Sequence, residues 1–144
     1  MACAQWNDDY SLGIKAIDDQ HKKLFGMINK LCSTLAEEGN PRSFMGKGAQ
    51  KNVTEEILGE MTEYASSHFF LEENFFEEFK YEKKQEHMAQ HELFRLKINS
   101  LKEDLQKGKE SVALDTLAFL SNWFVEHILH YDREYVECFH KHGL

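Results

Sequence analysis

Apolar residues recur at helical spacing through four long stretches of this chain, and a single proline, Pro41, interrupts them. Proline inside a helix removes a hydrogen bond and clashes with the preceding turn, so its near absence leaves long helices open to the sequence. The first stripe is Leu24, Phe25, Ile28, Leu31, Cys32 and Leu35, on a helix predicted from about Asp18 or Asp19 to Glu37 and stopped by Gly39-Asn40-Pro41. Residues 39–51 read as a loop or ragged first turn, because Gly46 and Gly48 weaken helix there. Asn52 and Glu55 resemble a capping box for the second helix, although a start one or two turns earlier is also open. Its stripe is Val53, Ile57, Met61, Tyr64, His68, Glu72, Phe75, Phe76 and Phe79. The third helix runs from about Lys83 to before Gly108, with His87, His91, Phe94, Ile98, Leu101 and Leu105 inward. Ser111 is placed to cap the fourth, which turns Leu114, Leu117, Leu120, Phe124, His127 and Tyr131 inward and stops near Gly143.

Four amphipathic helices joined by short loops predict an all-α, up-down-up-down antiparallel four-helix bundle. Residues 1–16 read as an N-terminal arm, with Trp6, Tyr10, Leu12 and Ile14 to pack it along the bundle at about residues 18–142. A chain of 144 residues fits one domain, 1–144. A domain of this size buries roughly 70% of the surface its unfolded chain exposes, enough for a full core.

Composition narrows the partners. Seventeen basic against 25 acidic residues give a net charge of −8, which repels phosphate backbones and argues against nucleic acid. No stretch approaches the ~18 apolar residues of a membrane span. The start, Met1 to Trp6, has neither the basic nor the apolar segment of a secretory signal. Cys3, Cys32 and Cys138 are odd in number and form no CxxC pair, so free thiols and a cytoplasmic, reducing compartment are expected.

The stripes also carry groups that do not belong in an apolar core. His21 lies on the first helix, His68 and Glu72 on the second, His87 and His91 on the third, and His127 on the fourth, with Asp132 five residues on. One such histidine is ordinarily a hydrogen-bonded core residue. Five imidazoles and two carboxylates aimed at one axis would each cost several kcal/mol without strong partners, and a multivalent cation compensates them together. His68 with Glu72, and His87 with His91, are spaced i,i+4 and share a helix face. At about 100° per residue Asp132 falls about 140° from His127, so it should reach the centre from a different side, as a bridge rather than a chelate partner. Seven ligands are too many for one ion, whereas two ions bridged by the carboxylates use them all.

Nitrogen and carboxylate donors without thiolate favour iron or manganese over structural zinc. No HExxH is present. Ferritin-like sites need two Glu-x-x-His motifs, and the one found, Glu137 to His140, reads as a solvated helix end. His130, His140 and His142 likewise read as surface residues.

The order H…HxxxE…HxxxH…HxxxxD resembles the signature of the hemerythrin family, and of its bacterial members in particular. So do Gly13-Ile14, the run Ile17 to Phe25, His68-Phe69, Glu72-Glu73 and Trp123 to Ile128. The resemblance runs from about Trp6 to the last helix. It implies reversible O2 binding at a non-haem centre of two iron ions (Fe2+/Fe3+) per chain with an oxo or hydroxo bridge. By position, His87, His91 and His127 would hold one iron, His21 and His68 the other, and Glu72 and Asp132 would bridge them. O2, or a small ligand such as azide or NO, would bind the iron with two histidines. Phe124 stands where members often carry Leu, and with Leu24 and Phe25 it would wall the O2 pocket. Glu82 stands where a proline often follows the aromatic, which should loosen the turn before the third helix. The implied role is an O2 carrier, store or sensor and not an enzyme. The alternatives are a di-iron enzyme consuming O2, peroxide or NO, or a sensing domain cut from a larger signalling protein. The sequence leaves the oligomeric state open and is compatible with a monomer.

Overall fold

The computed structural model describes residues 6–38 and 47–144. Helix α1 spans Lys15–Glu38, α2 Lys47–Glu78, α3 Lys84–Gln106 and α4 Val112–Trp123, which continues through a π-helical segment, Phe124–Asp132, into α5, Arg133–Lys141. The last three form one rod, so the architecture is the predicted four-helix bundle. Neighbours in sequence pack against one another, and α1 closes the ring against α4.

The element ends differ from expectation for local reasons. Helix α1 begins at Lys15 because Asp18, in its first turn, accepts Leu12 N–H at 2.8 Å and the Ser11 hydroxyl at 2.5 Å. These bonds tie the arm to the helix start. Gly13 makes the bend at φ +77°, a backbone conformation that side-chain-bearing residues rarely adopt. The Gly39-Asn40-Pro41 stop lies outside the described residues. Helix α2 starts at Lys47, so residues 47–51 are helical and Asn52 sits inside the helix instead of capping it. Packing along a 32-residue helix outweighs the ~1 kcal/mol cost of Gly48. Ser111 does precede α4, but its hydroxyl donates to Asp115 at 2.8 Å and caps no backbone N–H.

The inward face of α4 is Val112, Ala113, Thr116, Leu120 and Trp123. Leu114 is 54% exposed, against expectation. Stepping back from Phe124 by helical turns reaches Leu120, Thr116 and Ala113, which leaves Leu114 on the outside. The turn before α3 is not loose. Lys80 adopts a left-handed φ of 52°, Tyr81 N–H donates to Phe76 C=O at 3.0 Å, and the Tyr81 ring is buried against Phe76.

The interior divides into two hydrophobic clusters. The larger holds Leu24, Leu31, Ile57, Phe69, Phe94, Leu120 and Phe124 among others, with Trp6 and Tyr10 of the arm packed against it. The smaller holds Leu12, Ile14, Ile17, Phe76, Tyr81, Tyr135 and Phe139. On α1, His21 falls between Ile17 of one and Leu24 of the other. On α3, His87 and His91 fall between Tyr81 and Phe94. A polar layer therefore crosses the core between two apolar ones.

Cys138 is free, but Cys32 is disulfide-bonded, which corrects the expectation of free thiols throughout; Cys3 lies outside the described residues. Among the described residues no helix is long and apolar enough to cross a membrane.

Candidate metal centre

All seven residues singled out in the sequence meet in this polar layer. His21, Glu72, His91 and Asp132 are 0% exposed, His68 and His87 1%, and His127 2%. They form two groups whose ligand atoms lie within 4.8 Å of one another: Glu72, His87, His91 and His127 in one, His21, His68 and Asp132 in the other. The carboxylates span both. Asp132 Oδ1 lies 2.9 Å from His87 Nε2 and 3.0 Å from His127 Nε2, while its Oδ2 lies 3.0 Å from His21 Nε2. Glu72 Oε1 is 3.0 Å from His68 Nε2 and 3.3 Å from His91 Nε2, with Oε2 3.8 Å from His87.

The α-helical azimuth puts Asp132 on a different side from His127, yet the two side chains touch. The segment Phe124–Asp132 is π-helical, and i→i+5 hydrogen bonding returns the fifth residue to nearly the same face. The five-residue spacing was the available signal.

The contacts are close, but they are not hydrogen bonds. The Nε2 atoms of all five histidines and all four carboxylate oxygens are buried without a hydrogen-bond partner. Buried polar atoms this numerous are ordinarily satisfied. Here they face a common space, as donors to cations do. The chemistry of the set, five imidazoles and two carboxylates without thiolate, fits two ions of the iron or manganese type.

Without cations the imidazoles and carboxylates shift one another. Burial pushes the His68 and His87 imidazoles down, but Glu72 and Asp132 beside them prevail, and both are raised above the ordinary value. Burial wins at His127, which is lowered. Burial and mutual repulsion raise the Glu72 carboxyl, and His68 and His91 outweigh them and hold it low. Asp132 is held well below the usual range by His127, His21 and His87, against burial.

Aromatic rings fix the imidazoles. Phe69 stacks on His91 at 3.8 Å, Trp123 on His127 at 3.9 Å and Tyr64 on His68 at 4.9 Å between centroids. Two outer partners escaped the sequence reading: Gln20, bonded to His68 Nδ1, and Glu73, whose carboxylate lies 3.1 Å from His91 Nδ1. Glu73 is marked in sequence only as the neighbour of Glu72 in the family resemblance, which gives it no role.

Of the expected pocket residues, Leu24 is fully buried, and the Phe25 and Phe124 rings meet edge to face at 5.2 Å. Tyr10 of the arm covers both, 5.1 Å from Phe124 and 5.8 Å from Phe25. His130, His140 and His142 are exposed, as expected.

Residues 12–139 match the hemerythrin HHE cation binding domain. Bacteriohemerythrin of Clostridium acetobutylicum is 33% identical over 92% of this chain and 98% of its own length. That of Methylococcus capsulatus is 34% identical over 96% of this chain and 98% of its own. Among solved structures, an L114A mutant of hemerythrin superposes with a TM-score of 0.75 at 26% identity, covering 96% of this chain and 98% of that one.

Proposed function

The chain belongs to the hemerythrin family, whose members bind O2 at a di-iron centre, and on that premise we propose which residues build the centre and what it is for. His87, His91 and His127 would hold one iron, His21 and His68 the other, and Glu72 and Asp132 would be shared between them. The supporting observation is that each carboxylate lies against histidines of both groups while its oxygens lack hydrogen bonds. When bound, the irons supply reversible O2 binding, at the one with two histidines.

The chain's own residues supply the setting. Neutral imidazoles keep the buried charge low, and the two carboxylates offset part of the metal charge. Leu24, Phe25 and Phe124 wall the O2 side, and Tyr10 roofs it. This wall is apolar and aromatic, so it admits small ligands such as O2, NO or azide while excluding water. Leu24, Phe25 and Phe124 bring no acid or base toward a substrate, which supports a carrier, store or sensor over an enzyme.

The same reading takes residues 1–144 as one domain, compatible with a monomer, with neither nucleic acid nor membrane as partner. A cytoplasmic location is part of it, and the Cys32 disulfide is the observation against it. The deciding experiment is the spectrum of anaerobically reduced protein on adding O2 and then removing it. Return of the starting spectrum over repeated cycles is expected. Continuous O2 consumption under reductant would replace the carrier reading with an enzymatic one.

A further inference from the structure

The five imidazoles of the centre are not supported alike. The Nδ1 atoms of His21, His87 and His127 are buried without partners. Only His68 and His91, the two that meet Glu72 Oε1, have an outer hydrogen bond. Their partners differ in charge: the neutral amide of Gln20 for His68, the carboxylate of Glu73 for His91.

Glu73 is itself anchored. Its Oε2 lies 3.7 Å from Arg95 Nη2, and the Arg95 guanidinium sits over the Phe69 ring, 5.3 Å from its centroid. Phe69 in turn stacks on His91 at 3.8 Å. One cation on α3 thus holds both the carboxylate on the edge of His91 and the ring on its face. Glu73 is 22% exposed in its side chain, so it had the alternative of pairing with Arg95 at the surface alone. It reaches inward to His91 instead.

We propose that Glu73 is a positioning residue of the metal centre, one that accepts the Nδ1–H of His91, fixes the tautomer presenting Nε2 to the metal, and makes that half of the centre the more electron-rich. The inference rests on the assignment of His91 as a ligand. A carboxylate on the outer nitrogen raises the basicity of the ligating one, and removing such a partner typically weakens metal binding about 10–100-fold. Its negative charge also favours the more highly charged, oxidised metal pair. Gln20 gives His68 the same orientation without the charge, so the two halves are built unequal from the protein side.

Three variants test this: Glu73→Ala, Glu73→Gln and His91→Ala. The measurements are anaerobic Fe(II) titration of the metal-free protein and the reduction potential of the iron-loaded protein, with helicity as the check on folding. Glu73→Ala should bind Fe(II) about 10–100-fold more weakly. Glu73→Gln keeps an acceptor for the Nδ1–H, so it should recover most of the affinity while its potential stays above that of the wild type. Wild-type affinity in Glu73→Ala, or a wild-type potential in Glu73→Gln, overturns the proposal. If Glu73→Ala fails to fold, the potential of Glu73→Gln decides alone. Retention of both irons by His91→Ala overturns the ligand assignment and the proposal with it. Loss of iron there, with both Glu73 variants unchanged, overturns the proposal only.

Discussion

His127 Nε2 lies 3.0 Å from Asp132 Oδ1 although they stand five positions apart, because the helix between them is wound as a π-helix. A spacing of four would place both on one face of an ordinary α-helix. Deleting the exposed His130 creates that spacing. We expect the deletion variant to bind two irons still, with the π turn replaced by α-helix. Elemental analysis checks the metal, and loss of iron would show that the extra residue also sets the height of Asp132 along the bundle.

The bridging carboxylates should matter more than a nearby surface imidazole. Glu72→Ala or Asp132→Ala leaves a single carboxylate to hold two cations together, so iron content should fall from two per chain to one or none. His130→Ala should keep both irons, since that side chain is 70% exposed. Iron loss in His130→Ala would contradict the register of the last rod.

Metal removal should loosen the fold. Each buried polar group left unsatisfied costs about 1–3 kcal/mol, and several such groups line the centre. A loss of a few kcal/mol lowers the melting midpoint by on the order of 10 °C in a domain of this size. Calorimetry of iron-loaded and metal-free protein measures it; equal midpoints would mean the layer is satisfied without cations.

Proton and metal compete for the same nitrogens. His68 and His87 are raised in the metal-free site, so the stability they contribute is fully present below the ordinary imidazole value of 6.5 and is lost as pH rises through their elevated values. Metal must displace those protons. Fe(II) affinity should therefore increase with pH across the range above about 6.5, with proton release on binding. Titration calorimetry in buffers of different ionisation enthalpy counts the protons, and uptake without release would refute the argument.

Phe124→Ala opens the wall between Phe25 and Tyr10, at a stability cost of about 3–5 kcal/mol for a ring that is 5% exposed. Water then reaches the O2 side more easily. Faster autoxidation and faster azide entry are expected relative to wild type in the same buffer. Unchanged rates would place Phe124 outside the pocket wall.

Much of this was legible in the sequence because helical periodicity is local. The stripes that place Ile57, Met61 and Phe94 inward also place His68, Glu72, His87 and His91 inward, so the bundle and the ligand candidates follow from one pattern. What escaped depends on contacts between distant residues or on departures from the ideal helix. Gln20 and Glu73 are ordinary polar residues until α1 meets α2 and α2 meets α3. Tyr10 belongs to an arm without periodicity, and its place over Phe124 is set by tertiary packing alone. Asp132 was found by its spacing, but its direction was misjudged, because the α-helical angle does not hold through a π turn. Leu114 was misplaced for a simpler reason: near a helix start, one residue of phase error turns a side chain outward.

The polar layer between the two hydrophobic clusters has a consequence for how the molecule comes apart. Apolar contact is what makes distant parts of a core melt together, and here it is interrupted on every helix at the same height. With cations in place, ligands from all four helices are fastened across that gap, and the clusters form one cooperative unit. Without them, the smaller cluster of Leu12, Ile17, Phe76 and Tyr135 is coupled to the rest by the helix backbones and by ring contacts through the histidines, Phe76 to His91 and His91 to Phe69 among them. Amide exchange in the metal-free protein should then open that end at a lower free energy than the other, where the loaded protein opens both as one.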